Sequence, residues 1–168
     1  RYVEVNFNHA CNFKCSYCSP QFSTTWGKEI ERYGEFPTSP PHNAPEHFMG
    51  DRRPIPNREE NPYVTAFWKW WPTLYKNLKH FRMTGGEPMM DNNTYKVFQY
   101  VIDHPKEDLH LNVTSNMCPP NNKLKNNVYL FPPQPLGGFS FSQANPLTHL
   151  TSLPPSFSFL SLSLSLPQ

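Results

Sequence analysis

Charge is scarce in this 168-residue chain, and the last 38 residues, 131–168, hold no Asp, Glu, Lys or Arg at all. A formal net charge of +2 is too small to mark a polyanionic partner, and no basic stripe with interleaved aromatics marks a nucleic-acid surface. The chain also lacks a run of about 20 apolar residues, the length a membrane helix needs, and a secretory signal. Nucleic acid and membrane are therefore not indicated as partners. Apolar content is a modest 37%, and 20 prolines, about one residue in eight, dilute whatever core the chain can build. It starts at Arg1, without an initiator methionine and already inside a strand-like run, so the reading is of a fragment.

What is present is concentrated near the N-terminus. Three of the four cysteines lie in Cys11-Asn12-Phe13-Lys14-Cys15-Ser16-Tyr17-Cys18. Three thiols so close together suggest a metal in a reducing compartment, and the chain is expected to be cytoplasmic. Four cysteines would saturate a tetrahedral zinc or complete an iron-sulfur cubane, whereas three leave one coordination position open for chemistry. Short spacers can wrap round a ligand where a regular helix or strand cannot, so the motif is expected in a loop at the end of a strand. Spacing alone leaves several alternatives open: an iron-sulfur site, zinc completed by His9 or Cys118, or plain reduced thiols. A second motif follows. His80-Phe81-Arg82-Met83-Thr84 reads as a short strand running into Gly85-Gly86-Glu87-Pro88. The two glycines let backbone approach a ligand and present carbonyls, and the proline fixes the exit from the turn.

With these residues in view the sequence resembles the radical S-adenosylmethionine (radical SAM) enzymes. The resemblance rests on the CxxxCxxC run with Tyr17 at its aromatic position, on Gly85-Gly86-Glu87-Pro88 as the GGEP motif, and on Thr114-Ser115-Asn116 at the end of a later strand. Phe67-Trp68-Lys69-Trp70-Trp71 ahead of the GGEP strand suggests the twitch-domain group. The resemblance covers residues 1–125 and implies an α/β fold, a partial (βα)-barrel truncated to about three βα units. It implies that Cys11, Cys15 and Cys18 hold a 4Fe-4S cluster whose fourth iron binds S-adenosylmethionine. Reductive cleavage would then yield a 5′-deoxyadenosyl radical that abstracts hydrogen from an unknown substrate. In the same terms Tyr17 lies near the adenine, and Gly85, Gly86, Glu87 and Pro88 receive the methionyl amino group through backbone oxygens. Ser115 and Asn116 offer polar contacts to the ribose or carboxylate. An electron donor such as a flavodoxin or ferredoxin is implied as partner. The competing readings are a zinc-binding module and an electron-transfer iron-sulfur protein without radical chemistry.

Periodicity supplies the elements. Val3, Val5 and Phe7 alternate with Tyr2, Glu4 and Asn6, the pattern of a strand, and residues 24–33 have helical character ending at Gly34. Residues 34–62 carry seven prolines and read as a long surface excursion, with His42 and His47 as solvated loop histidines. Asn61 and Pro62 start a helix bearing Val64, Phe67, Trp68 and Trp71, and Pro72 is expected to force a break or a new turn before Leu74, Tyr75 and Leu78. A further helix is expected over 91–104, ended by Pro105, and a strand over 109–113. Strands alternating with helices imply parallel pairing, with ligands at the strands' C-terminal ends. Cys118 is expected to be a free thiol. Residues 126–168 read as a low-complexity, disordered tail outside the fold, since 28 of the last 38 residues are Ser, Pro, Leu or Phe.

Overall fold

The computed structural model describes residues 1–37, 54–56 and 59–120, with the backbone of Phe139–Gln143. His42, His47, most of the 34–62 excursion and most of 126–168 lie outside the described residues. The elements are β1 (Tyr2–Asn6), α1 (Thr24–Tyr33), α2 (Pro62–Lys76), β2 (His80–Thr84), α3 (Asn92–Asp103), β3 (His110–Ser115) and β4 (Phe139–Gln143). The four strands form one parallel sheet in chain order.

Register sorts the two faces. Val3 pairs with Phe81 and Phe81 with Leu111, and one step on Val5, Met83 and Val113 align in the same way. These rows meet Trp71, Leu74 and Tyr75 of α2, Leu78 just beyond it, and Val97, Phe98 and Val101 of α3 in one core. Trp71, only 1% exposed, anchors the cluster, its ring 4.9 Å from Phe81 and 5.8 Å from Tyr100. Each such side chain contributes about 1.5–3 kcal/mol by leaving water. The opposite face carries Glu4, Arg82 and Asn112 in one row and Asn6 beside Thr84 in another. It is polar because the period-two alternation of the strands leaves it nothing else.

Local chemistry sets the helix ends. Asn61 accepts from the Tyr63 and Val64 amides at 3.0 and 3.4 Å with Pro62 in the first turn, and Asp91 accepts from Asn93 N at 2.6 Å. Gly34, at φ 83°, closes α1 in a conformation that favours glycine. Two expectations need correction. Pro72 does not break α2, which continues through it to Lys76. The proline ring sits on the exposed side while Trp71, Leu74 and Tyr75 are buried, so packing of one face offsets the lost backbone hydrogen bond. The sheet also has four strands rather than three. Phe139–Gln143, inside the stretch read as a tail, pairs in parallel with β3 from Leu111↔Phe139 to Ser115↔Gln143. Its Phe-Ser-Phe-Ser alternation is the strand signal that low complexity obscured.

Candidate metal and cofactor site

The cysteine run leaves β1 at the sheet's C-terminal edge and is held by the start of α1. Thr24 Oγ1 accepts from Cys11 N at 3.2 Å and donates to Cys11 O at 3.1 Å, and Thr25 Oγ1 donates to the same carbonyl at 2.6 Å. Ser23, the α1 cap, donates to Phe13 O at 2.7 Å, and Trp26 Nε1 donates to Cys15 O at 2.9 Å. Cys18 N donates to Cys15 O at 2.9 Å, and Lys14 pairs with Glu29. A loop without regular structure thus has its backbone oxygens satisfied by four side chains from one helix turn. These anchors were missed in the sequence, where Ser23-Thr24-Thr25 shows only as a helix start.

The glycine turn after β2 fits against the same loop. A Cβ on Gly86 would lie 2.3 Å from Ala10 O, and one on Gly85, at φ 112°, 2.0 Å from Asn6 Oδ1. Gly86 N donates to Asn8 O at 3.2 Å and Glu87 N to Ala10 O at 2.7 Å. The close approach that requires Gly86 is therefore to the chain's own backbone just ahead of Cys11, and that of Gly85 is to the Asn6 side chain at the end of β1.

Cys11, Cys15, Cys18, Tyr17, Gly85, Gly86 and Asn116 line one cavity of about 290 Å³. That is near the lower end of ordinary ligand pockets, about 300–1,000 Å³. Glu4, Arg82, Thr84 and Thr114 from the polar face share its wall. Arg82 Nη2 donates to Thr114 Oγ1 at 3.0 Å and Nη1 lies 3.7 Å from Glu4 Oε2, while Thr84 donates to Glu4 Oε1 at 3.1 Å. Alternation in the strands is the signal for Glu4, Arg82 and Thr84, which no site motif includes.

Glu87, Pro88 and Ser115 are not on that wall. Glu87 is buried, 1% exposed, and its carboxylate accepts from Ser115 Oγ at 2.6 Å, Asn116 N at 2.5 Å and Met89 N at 2.9 Å. Burial pushes its carboxyl up, against the pull of these three donors. The side chain is a strut between the glycine turn and the end of β3 rather than an exposed turn residue.

Among the described residues no three or more His, Cys, Asp or Glu side chains converge as a metal-holding group. The three thiols instead border a void. Neither His9 nor Cys118, the two donors named for completing a zinc site, lines it. Three thiols round a space suit a cluster in which each takes a different iron and one iron stays open. Burial pushes the Cys11 and Cys18 thiols up, so loading a metal releases protons and is favoured by higher pH.

The chain is 24% identical over 115 residues to the GTP 3',8-cyclase of Aliarcobacter butzleri (strain RM4018), a stretch covering 68% of this chain and 27% of that protein. Identity and coverage are the same for the GTP 3',8-cyclase of Campylobacter lari. This distant similarity supports the radical SAM superfamily. The chain thus spans about a quarter of the length of the curated relatives it matches. No protein-family model and no solved structure matches it. No helix among the described residues is long and apolar enough to cross a membrane.

Proposed function

We propose that the chain is part of a radical SAM enzyme core, with Cys11, Cys15 and Cys18 holding a 4Fe-4S cluster and S-adenosylmethionine occupying the cavity beside them. The observation that carries this reading is that Cys11, Cys15 and Cys18, from one loop, line the same cavity as Gly85, Gly86 and Asn116 at the C-terminal edge of a parallel sheet. When bound, the cluster and S-adenosylmethionine would together supply a radical for hydrogen abstraction from substrate. The protein's own part is positional. Thr24, Thr25, Ser23 and Trp26 hold the loop so that its thiols face the cavity. Tyr17, 56% exposed at the rim, offers its ring to the adenine, and the Gly85-Gly86 backbone offers carbonyls to the methionyl amino group. A low-potential donor, flavodoxin or ferredoxin, delivers the electron, and GTP is the first substrate to try because both relatives carry it in their names.

The sheet is read as part of a partial barrel. Support comes from the helical core on one face and the polar, cavity-bearing surface on the other, since a purely parallel sheet is ordinarily covered on both sides. The twitch-domain assignment rests on the aromatic run Phe67–Trp71, whose Phe67, Trp68 and Trp71 pack on the core. Anaerobic iron and sulfide reconstitution tests the ligand assignment. Wild-type chain is expected to take up about four irons, Cys11→Ala, Cys15→Ala and Cys18→Ala variants far fewer, and Cys118→Ala the wild-type amount. Equal loading of all variants would contradict the assignment.

A further inference from the structure

The resemblance would use Asn116 as a contact to cofactor. Its polar atoms are already committed elsewhere. Asn116 Nδ2 donates to Asn12 Oδ1 at 3.0 Å and makes a longer contact, 3.9 Å, to Cys11 Sγ, while Oδ1 accepts from Cys118 N at 2.9 Å. Asn12 completes the loop of contacts by donating from Nδ2 to Cys118 O at 2.7 Å. Both asparagines thus tie the cysteine loop to the turn leaving β3. The turn is shaped for this. Met117 is the sole non-glycine residue with positive φ, 58°, among those described, and its N donates to Ser115 Oγ at 2.9 Å. The buried Glu87 strut fixes the start of the turn by accepting from Ser115 Oγ and Asn116 N.

We propose that Asn116 is a positioning residue for Cys11: with Asn12 it clips the first cysteine to the exit of β3 and aims an amide N–H at the Cys11 sulfur. The proposal rests on the reading of that sulfur as a cluster ligand. An N–H directed at a ligand sulfur draws electron density from it and favours the reduced, more negative cluster, so hydrogen bonds of this kind raise reduction potential. A clip also holds an otherwise irregular loop in one arrangement before any metal arrives, which lowers the ordering cost of loading.

Two readouts on the full chain test this. The first is metal-free: iodoacetamide alkylation of each cysteine at one pH, followed by peptide mass spectrometry, with Lys14 allowing trypsin to separate Cys11 from Cys15 and Cys18. Asn116→Ala and, as a second variant that keeps the N–H aimed at sulfur, Asn12→Ala are each expected to raise Cys11 alkylation several-fold and leave Cys118 unchanged. Thermal melts in parallel confirm that each variant is folded. Unchanged Cys11 alkylation in both variants would overturn the proposal. The second readout is the midpoint potential of the reconstituted cluster, expected to move negative in Asn116→Ala and less in Asn12→Ala. A loaded Asn116→Ala chain at the wild-type potential would overturn the N–H to sulfur contact. If wild-type chain takes up no cluster, the enzyme reading fails, while the alkylation result still decides the clip.

Discussion

Gly86 is the residue on which the two motifs depend jointly. The distance from its would-be Cβ to Ala10 O, 2.3 Å, is to backbone, which cannot rotate away as a side chain can. Gly86→Ala is therefore expected to cost about 1–3 kcal/mol, the range for forcing extra volume into a packed site. It should also lower iron uptake by displacing the cysteine loop, as measured by urea unfolding and iron assay. Full stability with full uptake would mean that the glycine faces a ligand rather than the loop. Tyr75 gives a second residue-level test. Its hydroxyl donates to His104 O at 2.6 Å, and burial, helped by Tyr100 and Asp108, pushes the phenol from 10.0 up to about 12. The folded state thus prefers the neutral phenol, and the associated stability is complete below pH 10 and lost as pH rises towards 12. Tyr75→Phe is expected to be about 1 kcal/mol less stable at pH 7 and to lose less stability than wild type across that alkaline window. Parallel losses in the two proteins would contradict this.

At the scale of elements, periodicity made most of the described fold legible. β1, α1, α3 and β3 fall within a residue or two of where alternation, caps and glycine placed them, because each is short and bounded by its own chemistry. α2 departs from that rule. Pro72 reads as a break in isolation, but whether a helix survives a proline depends on what its buried face gains, and that depends on residues far away in sequence. With its ring on the solvent side, Pro72→Ala restores a backbone donor and removes the clash without touching the core. The expected result is a gain of about 1–3 kcal/mol in urea unfolding; an unchanged or lower stability would mean that the core requires the proline's geometry. The site divides in the same way. Cys11, Cys15, Cys18, Gly85 and Gly86 stand out as motifs, and Tyr17 and Asn116 through the family resemblance; all seven line one cavity. The contacts of Glu87, Ser115 and Asn12 could not be read in this way, because their partners lie about 28 to 106 positions away and no local pattern records such pairs.

At the scale of the whole molecule, the sheet separates structure from chemistry. One face carries the aromatic and aliphatic core under α2 and α3, and the other carries Glu4, Arg82 and Thr114 beside the thiols. Parallel pairing in chain order brings the ends of β1, β2 and β3 level, so that the loops after them meet at one edge. β4 extends this sheet from a stretch whose composition argued against any fold. We propose that the resulting cavity joins an open iron site to S-adenosylmethionine. Anaerobic reconstitution of the full chain, followed by electron paramagnetic resonance of the reduced sample with and without S-adenosylmethionine, tests it most directly. A reduced 4Fe-4S signal whose shape changes when S-adenosylmethionine is added is expected. Stoichiometric zinc with no cluster, or a cluster signal indifferent to the cofactor, would contradict it.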